Sequence, residues 1–386
     1  MSEKNPLFLD VLPLTVLATN DALEYIFKSN HTHDDGIWLP HDSLLVRRLI
    51  ELFSRRGLDR LDYVRDQIIA WQNGEHYKEA AVIIPRPNMM ERWSKDELAL
   101  VKIYLESLFP TEWTLDDHMM AIDYVVQRYL PADELKTEAE WLTTRAGLMG
   151  KVQANLDAAV VLSSAVVDKI LAAMPSTVDA AATQFNLPAQ QKSMLDFARV
   201  RAAENVRALT ESVRHDMRST IITHLEGQTS AVAGTPSQSL QSKLFDKFAV
   251  HNRDWRRIAV TEAGEAQTQG YVASLALGTK IKRVERYANA CAFCRKIDGV
   301  IATVVSPDHP SKNHDTDVWV GKNNIGRSAS PRKRVGDVFV PRTPDEMWHL
   351  PAGLAHPHCR GRWVPVIEAE AGDDPDFAAW LQKTLA

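Results

Sequence analysis

Apolar positions along most of this chain recur three and four residues apart, the period of an amphipathic helix. Ser94-Lys95-Asp96-Glu97 opens one such stretch, with a serine and a glutamate placed to satisfy orphan amides reciprocally as a capping box. Leu98, Val101, Leu105 and Leu108 follow at helical spacing until Pro110. Thr114 opens a second helix, with Met119, Ile122, Val126 and Leu130 on one face and Pro131 beyond its end. The short apolar run Ala80 to Ile84, stopped by Pro85-Arg86-Pro87, reads as a strand or a buried turn. No glycine occurs from Lys151 to Glu226, which favours long helices. One is expected to end near Met174, before Pro175. Another runs from about Ala189 to Leu225, its apolar stripe formed by Phe197, Val200, Val206, Leu209, Val213, Met217, Ile221 and Leu225. At 1.5 Å per residue it reaches roughly 50 Å, a length suited to an arm or a bundle spine.

The segment 227–239, rich in Gly, Ser, Thr, Gln and Pro, reads as a linker. Beyond it, Trp255, Ile258, Ala259, Ala266, Val272 and Leu275 lie at helical spacing, with Gly278 as the expected cap. The texture then changes to short strand-like pieces: Ile281 to Tyr287, Val300 to Val305, Val338 to Val340, and Trp363 to Val366. The fold class expected is mainly α, with long helices plus a small C-terminal α+β domain.

Composition narrows the functions. A chain of 386 residues holds two or three domains. The formal net charge of −5 argues against a protein that coats nucleic acid along its whole surface. The N-terminus lacks a signal-peptide layout, and the uncharged run Ala158 to Val167 is too short to span a bilayer. A cytoplasm-made, reduced protein with no membrane contact is expected.

All three cysteines lie in the last hundred residues. Cys291 and Cys294 form a C-x-x-C knuckle, and Cys359 closes an H-x-x-C with His356. Three thiolates and one imidazole make a full tetrahedral set for zinc, and a site closed by four protein ligands is structural, because a catalytic zinc keeps an open position. The plain alternative is that these cysteines pack as small hydrophobes. An odd count argues against a disulfide framework. Asp298-Gly299 is expected to turn the chain after the knuckle, glycine supplying a positive φ, and Pro357 to stiffen the second ligand turn.

The ordered elements Trp255-Arg256-Arg257-Ile258-Ala259-Val260-Thr261-Glu262, Gly270, Cys291-Ala292-Phe293-Cys294, Asp298-Gly299 and His356-Pro357-His358-Cys359-Arg360 resemble the phage Mu F-like minor head proteins. That family's usual pattern runs R-I-A-x-T-E, C-x-x-C, D-G and H-P-x-C-R-C. The similarity covers about residues 240 to 367 in specific motifs and the preceding long helices more loosely. It implies a minor component of a tailed-phage head, made in the host cytoplasm. Such a protein is assembled in several copies with the portal protein and other head proteins, at the portal vertex of the head interior, and is kept in the virion. The family's final cysteine is Gly361 here, so His356 must supply the fourth ligand of a tetrahedral site. The division expected is 1–145, a helical and partner-binding addition; 146–239, a long-helix bundle or arm ending in the linker; 240–367, the zinc domain; and 368–386, a tail.

Other residues carry weaker signals. Thr261-Glu262 lies mid-helix, where the carboxylate accepts amides from the metal loop or pairs with an arginine; a structural ion pair is the reading favoured. Arg360 and Arg362 beside the H-x-x-C read as structural or solvated. The loop 309–342 carries Lys312, Lys322, Arg327, Arg332, Lys333, Arg334 and Arg342 against Asp315, Asp317 and Asp337, a composition that can meet DNA or an acidic portal surface. Asn313-His314-Asp315 lacks the second histidine of a nuclease motif. His31, His33, Asp34 and Asp35, with His41 and Asp42, read as a surface turn. Trp38, Trp71, Trp93, Trp113 and Trp141 read as core or interface anchors. The competing functions are a zinc-dependent nucleic-acid-acting enzyme, which would need a glutamate beside an open zinc position, and a DNA-binding module.

Overall fold

The computed structural model describes residues 41–90, 92–156, 162–229, 239–287, 289–366 and 374–385. His31, His33, Asp34, Asp35, Trp38 and most of the expected linker lie outside them. Among the described residues the chain is mainly helical, with a small sheet near its C-terminus. The helices are α1 (Leu44–Gln72), α2 (Lys95–Glu106), α3 (Leu115–Tyr129), α4 (Ala132–Asn155), α5 (Ser164–Ala173), α6 (Val178–Phe185), α7 (Ala189–Thr229), α8 (Leu240–Ala273), α9 (Ala292–Ile297) and α10 (Pro375–Leu385). The strands are β1 (Lys280–Val284), β2 (Ile301–Val304), β3 (Asp317–Val318), β4 (Arg332–Val335), β5 (Val338–Pro341) and β6 (Arg362–Pro365).

Two compact units interleave along the sequence. Of the described residues, one takes those up to Phe53, those within Thr137–Asn205 and those from Arg256; the other takes those within Ser54–Lys136 and Val206–Trp255. The 145/146 division falls inside α4, and the 239/240 division at the start of α8.

In the second unit both capping motifs form as the sequence indicates. Ser94 Oγ accepts from the Glu97 amide while the Glu97 carboxylate accepts from the Ser94 amide at 2.7 Å. Thr114 and Asp117 repeat the arrangement at α3. Trp71, Trp93 and Trp113 are buried, and Trp71 meets Tyr124 edge-on at 5.6 Å, so these are core anchors. Ala80 to Ile84 is neither strand nor buried turn: Val82 and Ile83 are 72% and 93% exposed. Hydrophobicity alone set that expectation, and the following prolines and the lack of a pairing strand leave the run outside the core.

In the first unit the glycine-free stretch from Lys151 is not one long rod. Helix α4 stops at Asn155, and α5 starts afresh at Ser164 with Ser163 as its cap. It ends with Met174 as C-cap, where expected. Helix α7 runs through Thr229, so Gly227 belongs to the helix, not to a linker. Helix α8 ends at Ala273, five positions before Gly278, which instead turns at φ 91° and donates its amide to Val304 at 2.8 Å. Helices α4 and α8 touch backbone to backbone: a Cβ on Gly270 would lie 2.1 Å from the Gly147 carbonyl oxygen. Gly270 is therefore a packing requirement.

The sheet has the order β3-β2-β1-β6, with β1 antiparallel to both neighbours and β3 parallel to β2. Ile281, Ala302, Val304, Val318 and Trp363 pack with Tyr271, Val272 and Leu275 in one apolar cluster. Strands β1 and β2 are shorter than the pieces expected at 281–287 and 300–305; β3 and β4 went unexpected. Helix α8 and this sheet set the position of the two cysteine motifs.

Candidate metal centre

The knuckle stands on a single helical turn. Cys291 caps α9, its Sγ accepting from the Cys294 amide at 3.4 Å. Gly299 then takes φ 80° and Asp298 Oδ1 accepts from the Glu285 amide at 2.9 Å, as the Asp-Gly turn leads one to expect. The second ligand turn is pinned by α8. His358 adopts φ 64°, a left-handed conformation that costs a non-glycine residue about 1 kcal/mol or more. Its amide donates to Thr261 Oγ1 at 3.2 Å, and the Cys359 amide closes the turn on the His356 carbonyl at 3.1 Å.

The two motifs, some sixty residues apart, converge. His356 Nε2 lies 3.2 Å from Cys291 Sγ and 3.1 Å from Cys294 Sγ, and Cys294 Sγ lies 3.6 Å from Cys359 Sγ. Tetrahedral zinc with bonds near 2.3 Å to sulfur and 2.0 Å to nitrogen implies edges of about 3.8 and 3.5 Å. The three separations are 0.2–0.4 Å shorter than those edges, and the donors that lie within 4.8 Å of one another form two sets of three, Cys359 falling in the set without Cys291 and His356. His356 Nδ1 sits 2.7 Å from the Pro357 carbonyl. A carbonyl only accepts, so Nδ1 carries a proton and Nε2 is the ring atom turned to the sulfurs.

Cys294 is the shared corner of two triads, one with Cys291 and His356, the other with Cys359 and Glu285. The cluster can hold a metal ion. Its protons are distributed accordingly. Hydrogen bonding with Cys294, then with His356, holds the Cys291 thiol down at about 3. The Cys359 thiol is also held well below its usual value, by Cys294 first and by the Arg283 guanidinium. The bonds to those two sulfurs, together with burial, push Cys294 up. Burial alone would lower His356, but the Cys291 thiolate and the Cys359 charge raise it to about 9.

Supporting groups reach in from residues that the sequence did not flag. Arg283, buried on the inner face of β1, donates to Gly353 O at 2.9 Å and to Cys359 Sγ at 3.5 Å. Glu265 Oε2 accepts from the Leu354 amide, so the carboxylate that grips the metal loop is one helical turn beyond Glu262. Glu262 itself is fully buried; Arg201 Nε and Nη2 both lie 2.9 Å from its Oε2, and Asn205 Nδ2 donates to Oε1 at 2.9 Å. Burial pushes the Glu262 carboxyl up, while Arg201 and Asn205 pull it back toward the ionised form. The favoured ion-pair reading stands, with Arg201 of α7 as the partner.

Arg360 keeps its structural reading over the solvated one, being buried with its guanidinium 5.1 Å from the Tyr287 ring centre. Several expectations change. His41 is buried rather than on a surface turn, its Nδ1 accepting from the Ser43 amide. Burial first, then Arg360 and Arg362, lowers it to about 3. In the basic loop, Lys322 is buried and donates to the carbonyls of His314 and Asp317. Lys333 pairs with Glu346 and Arg334 with Asp337, while Lys312 and Arg327 donate to the carbonyls of Pro307 and Asp345. His314 does meet a second histidine, His349, at 5.0 Å between ring centres, but among the described residues no third donor joins them. Trp348 stacks on His356 at 5.4 Å and meets Phe293 edge-on at 5.1 Å. Beside His356, Thr261 and Glu262 border a space of about 40 Å³, room for roughly three waters. No family model, curated protein or solved structure matches the chain.

Proposed function

We propose that residues 280–366 form a structural zinc module and that the chain is a minor head protein of a tailed phage, assembled in several copies beside the portal. The observation that carries the reading is the meeting of Cys291, Cys294, His356 and Cys359, supplied by the same segments that resemble the Mu F-like pattern. Three thiolates and one imidazole would hold the ion, which ties the knuckle to the second turn and supplies folding free energy. Thr261 and Glu265 fix that second turn to α8, so the ion also bears on the helical layer.

A zinc-dependent enzyme is the competing reading, favoured by the carboxylate of Glu285 near the cluster. Against it, four protein donors fill a tetrahedral zinc, and the 40 Å³ beside His356 is too small for a nucleobase. Contact with DNA through residues 309–342 is a weaker proposal, since most of that loop's cations already bond within the chain. Virions purified to homogeneity provide the test: the chain should co-purify with heads and portal, and the isolated protein should carry about one zinc per chain. Heads that lack it would remove the assignment.

A further inference from the structure

Glu285 directly follows β1, half-buried against the cysteine cluster. Its Oε1 accepts from the Tyr287 amide at 3.2 Å, and the partner of its Oε2 is Cys359 Sγ at 3.7 Å. It forms no ion pair with any described residue. The guanidinium nearby, that of Arg283, is directed at the Gly353 carbonyl and at Cys359 Sγ. A carboxylate withdrawn from water is normally paired with a cation or bound to a metal, and here the neighbours on its open side are sulfurs. Room for it exists because residue 361 has no side chain: a Cβ on Gly361 would lie 2.9 Å from Glu285 Oε2 and 2.6 Å from Arg283 Nη2.

We propose that Glu285 is itself a metal ligand, an oxygen donor that binds on the Cys294–Cys359 side of the ion while His356 binds on the Cys291–Cys294 side. The donors are then three sulfurs, one nitrogen and one oxygen, in two sets of three that share the corner Cys294; the ion would draw the two sets together. An oxygen donor widens the range of divalent ions accepted beyond those that favour thiolate alone. This proposal rests on the metal reading above, and the experiment separates the two.

Full-length protein is stripped with a chelator under reducing conditions and reloaded with Co²⁺ for visible absorption, and with Zn²⁺ for X-ray absorption. Wild-type protein should give the weak d–d bands of a five-coordinate ion and a zinc shell of three sulfur and two nitrogen or oxygen scatterers. Glu285→Gln should intensify the cobalt bands to those of a tetrahedral ion and weaken binding about 10–100-fold. His356→Ala should still bind Co²⁺, and adding Glu285→Gln to it should abolish binding. If Glu285→Gln weakens binding but leaves the bands unchanged, or if wild-type zinc shows a single light scatterer beside three sulfurs, Glu285 only supports the ligands and the proposal fails while the zinc reading stands. Absence of any metal uptake by wild-type protein sinks both. The scattering measurement needs no variant, so a misfolded Glu285→Gln protein does not block the decision.

Discussion

The α7–α8 layer and the module at 280–366 both bury charge, and they balance it by opposite means. In the helices, Arg201 and Glu262 neutralise each other directly, with Asn205 taking the remaining carboxylate oxygen. In the module, two sulfurs with depressed proton affinity and one carboxylate crowd a single corner, and Arg283 is the guanidinium that reaches them. The helical layer closes its charge with one pair; the module spreads it over several groups, with His356 raised and Arg283 beside the sulfurs, and can take up a metal ion. The Arg201–Glu262 pair and the module, both in one compact unit, therefore respond to different insults.

The largest effect should come from removing the shared corner. Cys294→Ser, or chelation of the wild type, is expected to cost on the order of 10 kcal/mol of module stability, more than a typical domain holds in reserve. Hydrogen exchange should show residues 280–366 deprotected while helical circular dichroism is largely kept. Retained protection of β1 and β6 in metal-free protein would erase the contrast. Next in size, Glu262→Ala strands Arg201 in the interior and should cost about 3–5 kcal/mol, measured by urea unfolding. That loss should be the same with and without chelator. A loss that disappears once metal is removed would tie the ion pair to the module and overturn the separation.

The smallest effect is set by pH in the second unit. His251, 1% exposed, is held near 4, because burial outweighs the attraction of Asp216 at 3.3 Å. Its folded value lies below the unfolded 6.5, so the unfolded chain binds the extra proton between them. Stability is complete above pH 6.5 and falls as pH drops toward 4, by up to about 3 kcal/mol. His251→Phe should flatten that slope when unfolding is followed across this range in chelated protein. An unchanged slope would assign the acid sensitivity elsewhere.

Much of the helical layer is legible from local rules. The capping boxes at Ser94 and Thr114, the stop at Met174 and the length of α7 need only propensity and period. The two cysteine motifs are legible as well, since ligand spacing within each turn is local. What pairs those turns is not. Arg283 and Glu285 reach the centre through strand pairing, with Val284 opposite Arg362 and Arg283 opposite Trp363, a register that no window around either residue displays. Glu265 was passed over for Glu262 because both lie on one helix and only packing tells which faces the loop. The exposure of Val82 and Ile83 fails for the opposite reason: an apolar run buries itself only where a partner surface exists.

The indole of Trp348, lying flat against the imidazole of His356, gives the molecule a built-in optical gauge. An open-shell ion at that imidazole would drain the excited state of this one ring, far more than those of the tryptophans in the helical layer. Emission should therefore fall when Co²⁺ is loaded, without any added dye, and replacing Trp348 by phenylalanine should silence that signal while leaving cobalt uptake in place.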